Sequence, residues 1–142
     1  MGAADAGALC AHEGVPGVLE GAPSGPLAGL RLAVKDLFDV AGFRCCCGNP
    51  DWLATHGPAA ATASAVGRLM AAGATLVGKA VTDELAYSVL GCNHWYGAPP
   101  NPAAPDRLCG GSSSGSASAV AGGAADIALG TDTGGSVRVP AS

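Results

Sequence analysis

Across residues 59–72 the apolar positions Ala59, Ala63, Val66, Leu69 and Met70 recur at spacings of three and four, which predicts an amphipathic helix. Thr62 and Ser64 stand near its start and Gly73 supplies a stop. Upstream, Arg31-Leu32-Ala33-Val34-Lys35-Asp36 is apolar between charged ends and reads as a short strand finishing near Lys35. The turn signal Gly25-Pro26-Leu27-Ala28-Gly29-Leu30 leads into it. Downstream, Ala74-Thr75-Leu76-Val77, closed by Gly78-Lys79, reads as a second strand. Thr82-Asp83-Glu84-Leu85-Ala86-Tyr87 then reads as an N-capped helix start. Residues 117–125 are all small except Val120, a helix that neighbouring backbones can approach closely, and Ile127-Ala128-Leu129-Gly130 reads as a buried strand. Strand, helix, strand, helix in this order predicts an α/β layered fold with mostly parallel pairing. Residues 1–25 read as a loose N-terminal arm ahead of a folded unit at 26–142.

Composition narrows the picture. Hydrophobic residues make up 49% of the 142 and charged residues 13%, which excludes a disordered, highly charged chain. Aromatics are only 4%, so large core side chains are scarce. The chain is therefore expected to pack against more protein, a homo-oligomer being one form of that. The net charge of −4 leaves no basic face for phosphates, so nucleic acid is not an expected partner. No apolar run of about 18 residues predicts a membrane span, and the start lacks both a secretory h-region and a basic transit character. Six cysteines stand at 10, 45, 46, 47, 92 and 109, without CxxC spacing. Adjacent residues point apart, so the run at 45–47 makes a poor disulfide framework, and a reducing, cytoplasmic compartment is expected. A metal site on Cys92 and His94, or a thiol or metal centre on Cys45-Cys46-Cys47, is the alternative left open; the expected cofactor and metal content is none.

Two Ser/Gly clusters, at 110–116 and 131–136, carry the candidate chemistry. Serine is inert at neutral pH without a base. His12, His56 and His94 stand at no predicted strand end and beside no Ser/Gly turn. The chain's two lysines, Lys35 and Lys79, each follow a strand, and position alone does not separate them. A desolvated lysine loses its proton near neutrality. Thr133-Gly134-Gly135-Ser136 offers successive N–H groups with little Cβ obstruction, as an oxyanion hole requires, and Asp132 and Arg138 could pair to brace the turn. By composition alone a Gly/Ser run reads as a linker and Lys35 as a surface lysine. Gly111-Ser112-Ser113-Ser114-Gly115 matches G-x-S-x-G, but irregular chain with Pro102 and Pro105 precedes it instead of a strand. Gly78-Lys79 is followed by Ala80, not the Ser/Thr of a P-loop.

Gly110-Gly111-Ser112-Ser113-Ser114-Gly115-Ser116, together with the run from Ala128-Leu129-Gly130-Thr131-Asp132 through Ser136-Val137-Arg138-Val139-Pro140-Ala141-Ser142, resembles the signature of the amidase signature family. Ala33-Val34-Lys35-Asp36 and Leu76-Val77-Gly78-Lys79 match it in order. The resemblance implies a mixed, largely parallel sheet flanked by helices. It also implies a triad of Ser136 as nucleophile, Ser112 as bridging serine on a cis Gly111–Ser112 peptide, and Lys35 as base. The main-chain amides of Thr133, Gly134, Gly135 and Ser136 would hold the oxyanion, with Ser113, Asp132 and Arg138 supporting and Lys79 structural. Implied with these is metal-free hydrolysis of a small carboxamide through an acyl-enzyme, and the branch most resembled is that of plant-type indole-3-acetamide hydrolases. A related group of chloroplast outer-envelope receptors lacks the nucleophile serine; this sequence keeps Ser136, which disfavours the receptor reading, and a non-catalytic amidase-like interaction or structural module is the alternative. Cys109 and the run at 45–47 depart from the branch. Family members run to several hundred residues, so the chain is expected to be an N-terminal fragment.

Overall fold

The structure, a computed structural model, describes residues 7–142. Strand β1 (Arg31–Lys35) is the middle strand of a parallel sheet, flanked by β2 (Thr75–Ala80) and β3 (Ile127–Leu129). Its two-residue side-chain period divides the core. Leu32 and Val34 join Val66 and Leu76 on one face; Ala33 joins Ala80, Ala119 and Ala124 on the other. Helix α2 (Ser64–Ala71) covers the first face through Val66, and α3 (Ser114–Ala121) covers the second. Four of the five β1 residues are buried, Lys35 among them.

The small-residue pattern of α3 has a steric cause. A Cβ on Gly115 would collide with the Ala8 carbonyl oxygen and the Val81 amide nitrogen, so the helix meets main chain directly. It runs over Ser114–Ala121, earlier than the predicted 117–125, because the turn at Gly122 and Gly123 ends it.

Several expectations are corrected. The helix predicted over 59–72 begins only at Ser64: Ala59 exchanges hydrogen bonds with the 42–43 segment and Ala63 N–H donates to the Asp39 carbonyl, which keeps 59–63 out of the helix. The second strand continues through Gly78-Lys79 to Ala80, because a register shift opposite Leu32 and Ala33 carries the pairing on to Lys35. The helix expected from Thr82 is a single 3-10 turn, Glu84–Ala86. Leu85 and Ala86 there hold positive φ, and the Asp83 carboxylate turns inward to accept from Gly91 N–H in place of capping. Helices α1 (Pro50–Thr55), capped by the Asn49 side chain, and α4 (Arg138–Ala141) were not anticipated. The arm read as loose is, over its described residues, fastened to β2: Leu9 and Leu19 form antiparallel bridges to Ala80 and Leu76, and Ala8 is buried.

Replacing Gly115 with valine forces α3 off the main chain at Ala8 and Val81. Urea unfolding should show a loss of at least about 1–3 kcal/mol, the range for overpacking; an unchanged midpoint would contradict the close approach.

Candidate active site

The period that splits the core also separates the two lysines. Lys35 lies on the α3 face of β1. Lys79, in register with Val34, lies on the opposite face, where Asp36 also points. Lys35 is buried, and its Nζ donates to Ser112 Oγ at 2.7 Å and to Thr131 Oγ1 at 2.8 Å. Its hydrogen-bond partners are thus hydroxyls, and among the described residues it has no ion pair. Burial pulls its ammonium down from the usual 10.5 to about 8, against the opposing charges of Asp83 and Asp132.

Lys79 is the contrast. Its Nζ stands 2.6 Å from Asp36 Oδ1, and Asp36 Oδ2 faces His12 Nε2 at 2.9 Å. Burial alone would lower the Lys79 ammonium, and the Asp36 charge and hydrogen bond, with Cys45, outweigh it and leave the group above its ordinary value. The Asp36 carboxyl is likewise held below its ordinary value: burial would raise it, and His12 and Lys79 more than compensate.

The bridging segment is held from two sides. The Gly111–Ser112 peptide is cis. The Ser112 carbonyl accepts from Thr82 Oγ1 at 3.0 Å and from Asp83 N–H at 3.2 Å. Ser113 ties this segment to the second cluster: its N–H donates to the Ser136 carbonyl at 3.0 Å, its Oγ donates to the Thr131 carbonyl, and that Oγ accepts from Thr131 N–H. Ser112, Thr131, Thr133, Gly134 and Ser136 line one cleft of about 750 Å³, whose far wall is Leu37 and the 85–89 segment. Ser136 Oγ makes no hydrogen bond among the described residues.

The turn after β3 is organised by one carboxylate. Asp132 accepts from the N–H groups of Gly135, Val137 and Arg138 at 2.8–3.0 Å and pairs with the Arg138 guanidinium at 2.8 Å. These contacts, the Arg138 hydrogen bond foremost, hold the Asp132 carboxyl far below its usual range. Gly135, at φ +121°, turns its N–H to Asp132, while among the described residues the N–H groups of Thr133, Gly134 and Ser136 have no hydrogen bond.

Sequence reasoning missed Thr131, the second hydroxyl on Lys35; a single threonine in a glycine-rich turn carries no pattern. Cys92 and His94 belong to no group of three metal donors among the described residues. The one such group is Cys10, His12 and Asp36, within 4.8 Å of one another, and the Lys79 ammonium already serves as the cation of that network. No helix among the described residues is long and apolar enough to cross a membrane.

Lys35 is thus buried and joined to Ser112, and Ser136 lines the same cleft as Ser112. The Amidase family profile matches residues 5–142, and the chain belongs to that family. It is 60% identical over 117 residues to Amidase 1 of Oryza sativa subsp. japonica, covering 82% of this chain and 27% of that protein. It is 53% identical over 116 residues to the chloroplastic outer envelope protein 64 of Arabidopsis thaliana, covering 82% and 20%. Among solved structures, a 6-aminohexanoate cyclic dimer hydrolase complexed with substrate superposes with a TM-score of 0.78 at 37% identity, over 84% of this chain and 25% of that one. The chain thus spans about a quarter of the length of the amidase it matches.

Breaking a buried ion pair leaves an uncompensated charge, at about 3–5 kcal/mol. Lys79→Ala should therefore lower unfolding stability by about that much in urea denaturation; a loss under about 1 kcal/mol would mean the pair is not structural.

Proposed function

We propose that the chain carries the catalytic centre of an amidase hydrolysing a small carboxamide to carboxylate and ammonia, with Ser136 as nucleophile, Ser112 as proton bridge and Lys35 as base. The observation that carries the reading is the 2.7 Å hydrogen bond between a desolvated Lys35 amine and Ser112 Oγ. In its neutral form the amine accepts the Ser112 proton along that same contact while keeping Thr131 as acceptor. Ser112 in turn takes the proton of Ser136, whose oxygen attacks the amide carbon. The free N–H groups of Thr133, Gly134 and Ser136 stabilise the oxyanion; one such donor is worth about 2.7–4 kcal/mol in the transition state. The proton returns through Ser112 to the departing nitrogen, ammonia leaves, and water cleaves the acyl-enzyme by the same relay. Leu37 and the 85–89 segment, with Leu85 and Val89, offer an apolar wall to the acyl group, which fits an arylacetamide such as indole-3-acetamide. The six free cysteines support a reducing cytoplasmic setting.

A second reading, a non-catalytic amidase-like interaction module, rests on the 53% identity to the outer envelope protein. A fluorophosphonate probe separates the two. The first reading expects covalent labelling at Ser136, mapped by mass spectrometry and abolished in Ser136→Ala. Lys35→Ala should slow labelling by about 10²–10⁴-fold, the range for loss of a general base. An unlabelled chain supports the module.

The pH dependence has a definite sign. Lys35 acts when unprotonated, so labelling should rise with pH and level off above about 8. At pH 6, two units below, about one molecule in a hundred holds the neutral amine, so the rate should be about a hundredfold under its plateau. A rate constant flat from pH 6 to 9 would remove Lys35 from the relay.

A further inference from the structure

The run Cys45-Cys46-Cys47 has no part in the proposed hydrolysis, and its three thiols are held differently. Cys46 Sγ faces the Tyr96 hydroxyl at 3.1 Å and the Asn49 carbonyl at 3.5 Å. Cys45 turns elsewhere: Lys79 Nζ donates to its Sγ at 2.6 Å, and the Phe38 carbonyl accepts from the thiol at 3.2 Å. The chain bends at Cys47, which has φ +52°, and the Cys45 and Cys47 thiols perturb each other's ionisation. The neighbouring thiols of Cys45 and Cys46 thus point apart, as expected from the sequence.

We propose that Cys45 is a nucleophilic thiol and a site of oxidation by small hydroperoxides, with Cys47 as its resolving partner. The thiolate is the nucleophile, and a lysine ammonium in contact favours it. The groups facing Cys45 are Cys47, Lys79 and Asp36. The Cys47 thiol and the Lys79 contact outweigh burial and the Asp36 charge, so Cys45 ionises below the usual thiol value, while Cys47 is held protonated far above it by Cys45 and by burial. Attack of Cys45 sulfur on hydrogen peroxide forms an S–O bond, breaks the O–O bond and releases hydroxide. Sulfur is oxidised by two electrons and the peroxide reduced. Cys47 sulfur then displaces the sulfenic hydroxyl, an S–S bond forms, and the hydroxyl leaves as water with the Cys47 proton. The run is tied to the residue after Lys35, because Cys46 N–H donates to Asp36 Oδ2 at 3.0 Å and Cys47 N–H donates to the Asp36 carbonyl at 3.1 Å.

The exposed thiol of Cys92 is the internal comparator. With limiting iodoacetamide at pH 7 on the unaltered chain, followed by fragment mass spectrometry, Cys45 should be alkylated about tenfold faster than Cys92 despite being less exposed. One equivalent of hydrogen peroxide should give an intrapeptide Cys45–Cys47 disulfide, read as the loss of two hydrogens. In Cys47→Ser, dimedone should instead trap a sulfenic acid on Cys45. Faster alkylation of Cys92, or oxidation that bypasses Cys45, would overturn the proposal, and the measurement on the unaltered chain decides it even if the variant fails to fold.

Discussion

The candidate site depends on a lysine side chain deprived both of water and of a carboxylate. Lys35 ends a strand whose neighbours bury it on both faces, and the groups it reaches are the hydroxyls of Ser112 and Thr131. Burial disfavours the ammonium, and hydroxyls, unlike an acidic partner, do not restore its advantage. A weaker hold of the amine on its proton follows from that placement, and the carbonyl of the serine it meets accepts from the Thr82 hydroxyl and the Asp83 N–H.

The same strand supplies the opposite arrangement one residue later. Asp36 points to the other face, where Lys79 is buried just as deeply but finds its carboxylate. Two lysines of equal burial thus acquire opposite character, one prepared to lose a proton and one locked in its charge, because a β-strand alternates its side chains. The ion pair anchors β1 to β2 and to His12 of the N-terminal segment, and so stiffens the strand end that presents Lys35.

Much of this was legible. The apolar run 32–34 between charged ends, the period of 66, 69 and 70, and the Ser/Gly clusters placed β1, α2 and the site segments, and the family signature pointed to Lys35, Ser112 and Ser136. What escaped was set by tertiary partners. Lys79 was read as closing a strand that in fact runs on through it, since a shift of register is invisible in one strand alone. Residues 82–87 have helical capping chemistry, yet Thr82 and Asp83 spend their hydrogen bonds on the bridging serine and Gly91. That the Gly135 N–H is held by Asp132 depends on the fold of the turn and leaves no trace in the sequence pattern. Thr131 was overlooked because a single threonine carries no pattern.

The chain holds two lysines, so their ionisation can be followed directly by carbon-13 NMR of the ε-methylene groups across a pH series. One resonance should titrate near 8 and disappear in Lys35→Arg, while the other should titrate above the ordinary 10.5. Two resonances moving together in the ordinary lysine range would contradict the account.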